Sequence, residues 1–281
     1  MDIMNTYIID SIRTPIGNFG GTLKDIRTDD LAAIPIRELI KRTKIEPSKI
    51  DDVILGCANQ AGEDNRNIAR MASLLAGIPF SVPGETINRL CASGMSAVIN
   101  AHRAIQTGDG NLFIAGGIEN MTRGPWVISK VSKAFGRDAQ MFDSSFGWRF
   151  INPKMKELYG VDGMGTTAEN LAEKYNISRE DQDNFAYYSQ LKAYRAQSLG
   201  RLSEEIVPVE IPQRKKEPIL FEHDEFIKGN TKVEVLAKLR TAFKKEGGTV
   251  TAGNSSGLND GAAAMLLASE NGVKENNLSP I

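Results

Sequence analysis

The chain has 281 residues, 41% hydrophobic and 25% charged, a composition that fits one large or two modest globular domains. A net charge of −1 gives no electrostatic footprint for nucleic acid or an anionic membrane surface, so neither is expected as a partner. No apolar run approaches the ~20 residues of a spanning helix. No basic segment followed by an apolar one opens the sequence, and two cysteines, Cys57 and Cys91, cannot make a disulfide framework. A cytoplasmic, reduced protein is expected.

In chain order, Tyr7–Ile12 reads as a short apolar strand that ends at Arg13-Thr14-Pro15 and runs into a Gly-rich turn. Thr28-Asp29-Asp30 is expected to cap a helix reaching about Thr43. Residues 53–57, Val-Ile-Leu-Gly-Cys, read as a buried strand, and 67–76 as a second helix. A strand at 86–90 then leads through Cys91 into a helix closed by Gly108-Asp109-Gly110, followed by a fully apolar strand at 112–115. Strand and helix alternate across short turns, the pattern of an α/β sheet with helices on its faces. The helix after Cys91 is apolar nearly all round, so both of its faces are expected to be covered.

The texture changes near Met121. Residues 121–165 show weak periodicity and read as a long excursion of the functional or mobile kind. Thr166–Glu169 opens a short helix to Tyr175, and Ser178-Arg179-Glu180-Asp181 caps a longer one stopped near Gly200. Ile206–Ile211 reads as an edge strand around Pro208, 218–221 as another strand, and 233–239 as a short helix. Regular α/β texture returns at Gly248, with a terminal strand at 264–268. The predicted division is therefore one α/β domain, 1–120 with 249–281, interrupted by an inserted domain at 121–248.

Cys91 is the residue around which a function can be built. It lies where strand-like and helix-like runs meet, and a helix start offers unpaired N–H groups and the positive end of the macrodipole, both favouring the nucleophilic thiolate. Small neighbours, Ala92-Ser93-Gly94, leave room for a bulky group. The competing reading is a buried structural cysteine, which position alone does not exclude.

Four long stretches resemble the degradative and biosynthetic thiolases: NRLCASGM at 88–95, GGIENMT at 116–122, GMGTTAEN at 163–170 and TAGNSSGLNDGAA at 251–263. ANQAGEDNRNIARM at 58–71 and GWRFINPKM at 147–155 look most like the 3-oxoadipyl-CoA thiolase branch. The resemblance implies an α/β thiolase-like layered fold, its first half carrying a mixed five-stranded sheet with helices on both faces. The insertion at 121–248 corresponds to the family's loop domain, which covers coenzyme A. The implied activity is ping-pong acyl transfer between CoA thioesters through an acyl-enzyme: cleavage of 3-oxoadipyl-CoA or acetoacetyl-CoA by CoA, or the reverse Claisen condensation. Cys91 matches the family's nucleophile. Ser256 matches a position that contacts the pantetheine arm, Met164 a methionine lining the acyl pocket, and Phe243 an aromatic near the CoA. No bound cofactor or metal is expected beyond CoA as substrate, and family members are homodimers or homotetramers.

The sequence departs from the family in one large way. Family members continue into a second α/β half carrying NEAF-, GHP- and C-x-GGG-type motifs, which supply further oxyanion-hole and acid/base groups, and none of the three occurs here. The chain is therefore expected to be inactive alone and to need a partner half; the alternative is a non-catalytic CoA-binding or partner-binding subunit. Neither histidine substitutes as base. His102 lies eleven residues beyond Cys91, about 16 Å along a helix, and His223 is flanked by acids. A cysteine hydrolase is the weakest of the three readings on the same ground, and Cys57 reads as packing. With half its cover missing, the Cys91 helix is expected to expose an apolar face. Gly163 stands where acetoacetyl-CoA thiolases tend to have histidine, which leaves room for a longer or polar acyl chain, and Arg149 is a candidate partner for a distal carboxylate.

Overall fold

The computed structural model describes residues 5–59 and 61–281. Its elements are, in order, β1 (Thr6–Arg13), β2 (Gly17–Asn18), α1 (Thr28–Thr43), β3 (Asp52–Gly56), α2 (Ile68–Leu75), β4 (Gly84–Ile87), α3 (Ser93–Thr107) and β5 (Leu112–Asn120). There follow β6 (Trp126–Ile128), β7 (Met141–Asp143), α4 (Pro153–Tyr159), α5 (Met164–Tyr175), α6 (Arg179–Ser198), β8 (Val209–Gln213), β9 (Lys216–Phe221), α7 (Val233–Leu236), β10 (Asn259–Ser269) and α8 (Glu270–Glu275). Among the described residues no helix is long and apolar enough to cross a membrane.

The chain divides into two compact units: 1–125 with 203–225 and 259–281, and 126–202 with 226–258. The boundary differs from a single insertion at 121–248, because residues 203–225, with the β8–β9 hairpin, pack with the first unit. The anchoring is chemical. Asp224 accepts two hydrogen bonds from the Arg13 guanidinium (2.7 and 2.9 Å), and Glu225 accepts from the Asn18 and Thr22 backbone N–H groups.

In the first unit the sheet order is β1-β10-β5-β3-β4, with the two-residue β2 paired to β10 as a sixth strand. The β1, β10 and β5 pairings are antiparallel, and β5-β3-β4 are parallel. Its central strands are apolar without interruption because both faces are covered. Val53, Leu55, Ile114 and Leu266 point into the core beneath α1 and α2, whereas Ile54, Phe113, Ala115 and Leu267 point to the α3 side. Helix α3 meets that second face with Ala97, Ala101 and Ile105, spaced by one helical turn. Its opposite face is uncovered: Met95 is 70% exposed and Ile99 36%, as is the neighbouring Leu90 at 70%. The all-round apolar pattern thus has one buried face in this chain.

Several boundaries differ from the sequence reading for local reasons. Strand β5 runs on through Gly116-Gly117 to Asn120, and β10 begins at Asn259, because these two strands pair along their whole length. Helix α1 takes its N-terminal acceptor from a distance: the Glu63 carboxylate accepts from the Thr28 N–H at 3.0 Å. In the second unit residues 126–165 contain a β6–β7 hairpin and α4, the latter capped by Asn152. Ser178 and Asp181 form the expected capping box on α6.

Candidate active site

Cys91 is exposed and lies between β4 and α3, one residue before the helix N-cap Ala92. What positions it is a short locked loop. The Asn88 side chain accepts the Leu90 N–H (2.9 Å) and donates to the Ala58 carbonyl (2.9 Å), which ties the loop to the segment after β3. Ser93 Oγ accepts the Arg89 N–H at 2.8 Å and donates to the Leu90 carbonyl at 2.5 Å. Leu90 itself sits at φ +50°, a left-handed conformation uncommon for such a side chain. These bonds hold that conformation and leave the thiol projecting beside the α3 start.

The start of α3 rests directly on the sheet, and glycine makes this possible. A Cβ on Gly56 would come within 2.3 Å of the Ser93 carbonyl carbon. One on Gly117 would lie 2.9 Å from the Gly56 carbonyl oxygen and 3.5 Å from Gly94 Cα. Below this seat Glu119 is half-buried, and its carboxylate accepts from the Ala58 and Asn59 N–H groups at 2.8 and 3.2 Å. Burial pushes the Glu119 carboxyl above its usual range, more than the two N–H donors lower it.

The other cysteine is chemically distinct. Cys57 is buried, donates to the Asn59 carbonyl at 3.2 Å, and has its thiol pushed far up by burial and by the nearby Glu119 and Asp64 carboxylates. Neither histidine is engaged with Cys91. His102 Nδ1 bonds Thr6 Oγ1 at 2.8 Å, and His223 is exposed beside Glu222 at 3.9 Å. Among the described residues no cluster of His, Cys, Asp or Glu side chains could hold a metal ion.

The remaining three candidates belong to the second unit. Met164 opens α5 and is 78% exposed. The Phe243 ring lies on the next residue, so closely that a Cβ on Gly165 would meet Phe243 Cδ1 at 2.2 Å. Ser256 is exposed in the loop before β10. That loop is wound around two residues to which the sequence reading gave no role. Asn254 Oδ1 accepts the Thr251 N–H (2.7 Å), and Asn254 Nδ2 donates to the buried Asp183 (2.9 Å) and to the Thr249 carbonyl (3.0 Å). Asp183 is in turn paired with Arg179 at 2.8 Å. The buried Glu169 of α5 accepts from the N–H groups of Thr249 and Val250. Burial would raise its carboxyl, but these donors win and hold it below the usual range.

The profile of the family described as "Thiolase, N-terminal domain" matches residues 6–271. The chain belongs to the thiolase family. It is 54% identical to a beta-ketoadipyl-CoA thiolase of Acinetobacter baylyi, over 96% of this chain and 68% of that protein. It is 55% identical to a 3-oxoadipyl-CoA/3-oxo-5,6-dehydrosuberyl-CoA thiolase of Escherichia coli, over 98% and 68%. Among solved structures it resembles human mitochondrial 3-ketoacyl-CoA thiolase in complex with CoA (TM-score 0.88, 36% identity, 99% of this chain and 68% of that one). A Bacillus anthracis acetyl-CoA acetyltransferase is similarly close (TM-score 0.87, 40% identity, 99% and 69%). The chain thus spans about two thirds of the length of these thiolases. It is a thiolase-type acyltransferase with the thiolase α/β fold.

Proposed function

We propose that this thiolase acts on the CoA monothioester of a 3-oxo dicarboxylic acid, with 3-oxoadipyl-CoA as the reference substrate, through an acyl-enzyme on Cys91. Its exposed thiol on a hydrogen-bonded loop, ahead of a helix seated on glycine, is the observation that carries the assignment. The relatives support the substrate class: both named substrates, 3-oxoadipyl- and 3-oxo-5,6-dehydrosuberyl-CoA, share a free carboxylate at the end away from CoA and differ in length.

In the cleavage direction the Cys91 thiolate adds to the keto carbon, forming the S–C bond. The C2–C3 bond then breaks, its electron pair passes to C2, and protonation there releases acetyl-CoA. A second CoA thiol attacks the acyl carbon and frees the shortened acyl-CoA and the Cys91 thiol. Ser256 and Phe243 would hold the CoA and Met164 the acyl chain, with unit 126–202/226–258 as the CoA-covering domain. The protein as a homo-oligomer in the cytoplasm, serving aromatic or fatty-acid breakdown, belongs to the same reading.

Turnover needs a base to make the thiolate and an acid to protonate C2. With His102 committed to Thr6 and His223 beside Glu222, we infer that the 281-residue chain alone binds CoA esters but does not turn over. The test is intact mass after brief exposure to 3-oxoadipyl-CoA or acetyl-CoA, acid-quenched, with Cys91→Ala alongside. Near neutral pH no adduct is expected. At strongly alkaline pH, where hydroxide replaces the missing base, an acetyl group from acetyl-CoA, whose transfer breaks no carbon–carbon bond, should appear on Cys91 and vanish in the variant. An adduct at neutral pH would overturn the inactivity of the chain, and one surviving in Cys91→Ala would overturn the nucleophile. Binding with no adduct at either pH would leave a CoA-binding subunit as the function.

A further inference from the structure

Resting on the dicarboxylic substrate class above, we propose that Arg149 is the residue that binds the distal carboxylate of the acyl group and so sets specificity for such thioesters. The stretch Gly147–Met155 is held by several specific contacts. Gly147 (φ +55°) and Phe150 (φ +50°) turn the chain on either side of Trp148-Arg149. Trp148 Nε1–H donates to the Asp162 carbonyl at 3.2 Å, the Phe150 ring meets Phe142 edge-on at 5.1 Å, and Asn152 caps α4. The Trp148 bond fixes this loop to the residue immediately preceding Gly163-Met164, where the acyl chain is proposed to lie. At Gly163 a Cβ would meet nothing within 4 Å, so the space beside that position is open.

Arg149 is what remains unexplained. It is half-buried, and one Nη1–H donates to the Ser144 carbonyl at 2.9 Å, which orients the guanidinium. Among the described residues it has no carboxylate partner. Of the acids nearest to it in the sequence, Asp143 accepts the Ser145 N–H (2.9 Å), Asp162 accepts from Asn170 (2.9 Å), and Glu157 is exposed on α4 and forms no ion pair with Arg149. A guanidinium carries five donors in a planar fork that matches a carboxylate with two parallel bonds. A half-buried cation held in place with its fork unspent is built to receive an anion. The lysines that follow it, Lys154 and Lys156, are exposed on α4 and lack this fixed geometry.

The experiment compares binding of adipyl-CoA and hexanoyl-CoA, which lack the 3-oxo group and cannot be cleaved, to the 281-residue protein, Arg149→Gln and Arg149→Lys. The wild type should bind adipyl-CoA roughly ten- to hundredfold tighter than hexanoyl-CoA, the range of a charge-assisted hydrogen bond. In Arg149→Gln that preference should vanish while hexanoyl-CoA affinity stays as it was, which also reports an intact fold. Arg149→Lys should recover part of it, as a point charge without the fork. A wild-type preference that survives in Arg149→Gln overturns the role of Arg149 and leaves the substrate class standing. Equal binding of both esters to the wild type overturns both.

Discussion

The carbonyl carbon of Ser93 would lie 2.3 Å from a Cβ placed on Gly56. Backbone packs on backbone there, at the point where β3 ends and α3 begins, and the Cys91 loop hangs from the same helix start. Gly56→Ala forces α3 off the sheet, because the clashing atoms are main chain and cannot rotate away. Overpacking of this kind costs about 1–3 kcal/mol. Chemical denaturation should show that loss, and acylation of Cys91 at raised pH should fall with it. A variant of wild-type stability and full acylation would mean that the glycine seat does not position the thiol.

A second glycine separates binding from stability. Gly165 lies in the first turn of α5 under the Phe243 ring, whose Cδ1 would be 2.2 Å from an added Cβ. Phe243 is half exposed and can swing aside, so Gly165→Ala should leave the melting temperature near the wild-type value. Alanine is the better helix former by about 1 kcal/mol in a helix interior, which offsets part of the clash. If Phe243 contacts CoA, Gly165→Ala weakens CoA binding several-fold, and the double variant with Phe243→Ala binds no worse than Phe243→Ala alone. Additive losses in calorimetric titrations would show that the two residues act separately.

These two glycines mark the limit of what local sequence reading could extract. Strand alternation, the capping box Ser178–Asp181 and the motif cysteine are encoded within a few residues, so they were legible. Gly116-Gly117 looked like the end of a strand because glycine usually punctuates. Here it stays in the strand because its neighbours leave no room for a side chain: a Cβ on Gly116 would meet the Ala263 carbonyl of β10, and one on Gly117 the Gly56 carbonyl of β3, with Gly94 at the α3 start just beyond, contacts that no local window reveals. The β6–β7 hairpin was missed because its strands, three residues each, are too short to show a period. Glu63 with Arg123 and Asp183 with Asn254 join residues 60 and 71 positions apart, which no window reveals. Asn88 was the exception: an Asn two residues before a left-handed position is a recognisable turn signal, and it could have been read.

The Glu63–Arg123 pair gives the acid response a direction. Glu63 accepts from Arg123 Nε at 2.7 Å and from the Thr28 N–H, and the Arg123 guanidinium brings its carboxyl from 4.5 down to about 2. Because the folded-state value is the lower one, protons bind the unfolded chain preferentially as the pH falls. The contribution is therefore present in full above about 4.5 and is lost as the pH drops through about 2. It is worth on the order of 2–3 kcal/mol while complete. The stability difference between wild type and Glu63→Gln should be large at pH 6 and shrink steadily toward pH 2. Other carboxylates, such as Glu169 and Glu225, titrate in both proteins and cancel. A difference that is constant with pH would remove Arg123 as the cause.

Asp183 and Asn254 test whether the loop bearing Ser256 is held from beneath. Asp183 is 1% exposed and divides its two oxygens, Oδ2 to Arg179 Nε and Oδ1 to Asn254 Nδ2. Arg179 in turn donates to the Leu236 carbonyl, so the charge pair also anchors α7. Removing the acid leaves a guanidinium without its counter-charge, and Asp183→Ala should cost about 3–5 kcal/mol. Asn254→Ala keeps the charge pair and loses only neutral and charge-assisted bonds, for about 1–3 kcal/mol. Asn254→Asp is the sharper variant: it is isosteric, preserves the acceptor used by the Thr251 N–H, and sets a second carboxylate against Asp183. It should be less stable than Asn254→Ala near neutral pH and recover as acid protonates one of the pair. CoA affinity should fall in both Asn254 variants, although the residue need not touch the ligand, because the turn that presents Ser256 loses its internal bonds. Wild-type CoA binding in Asn254→Asp would mean that Ser256 is not held through this network.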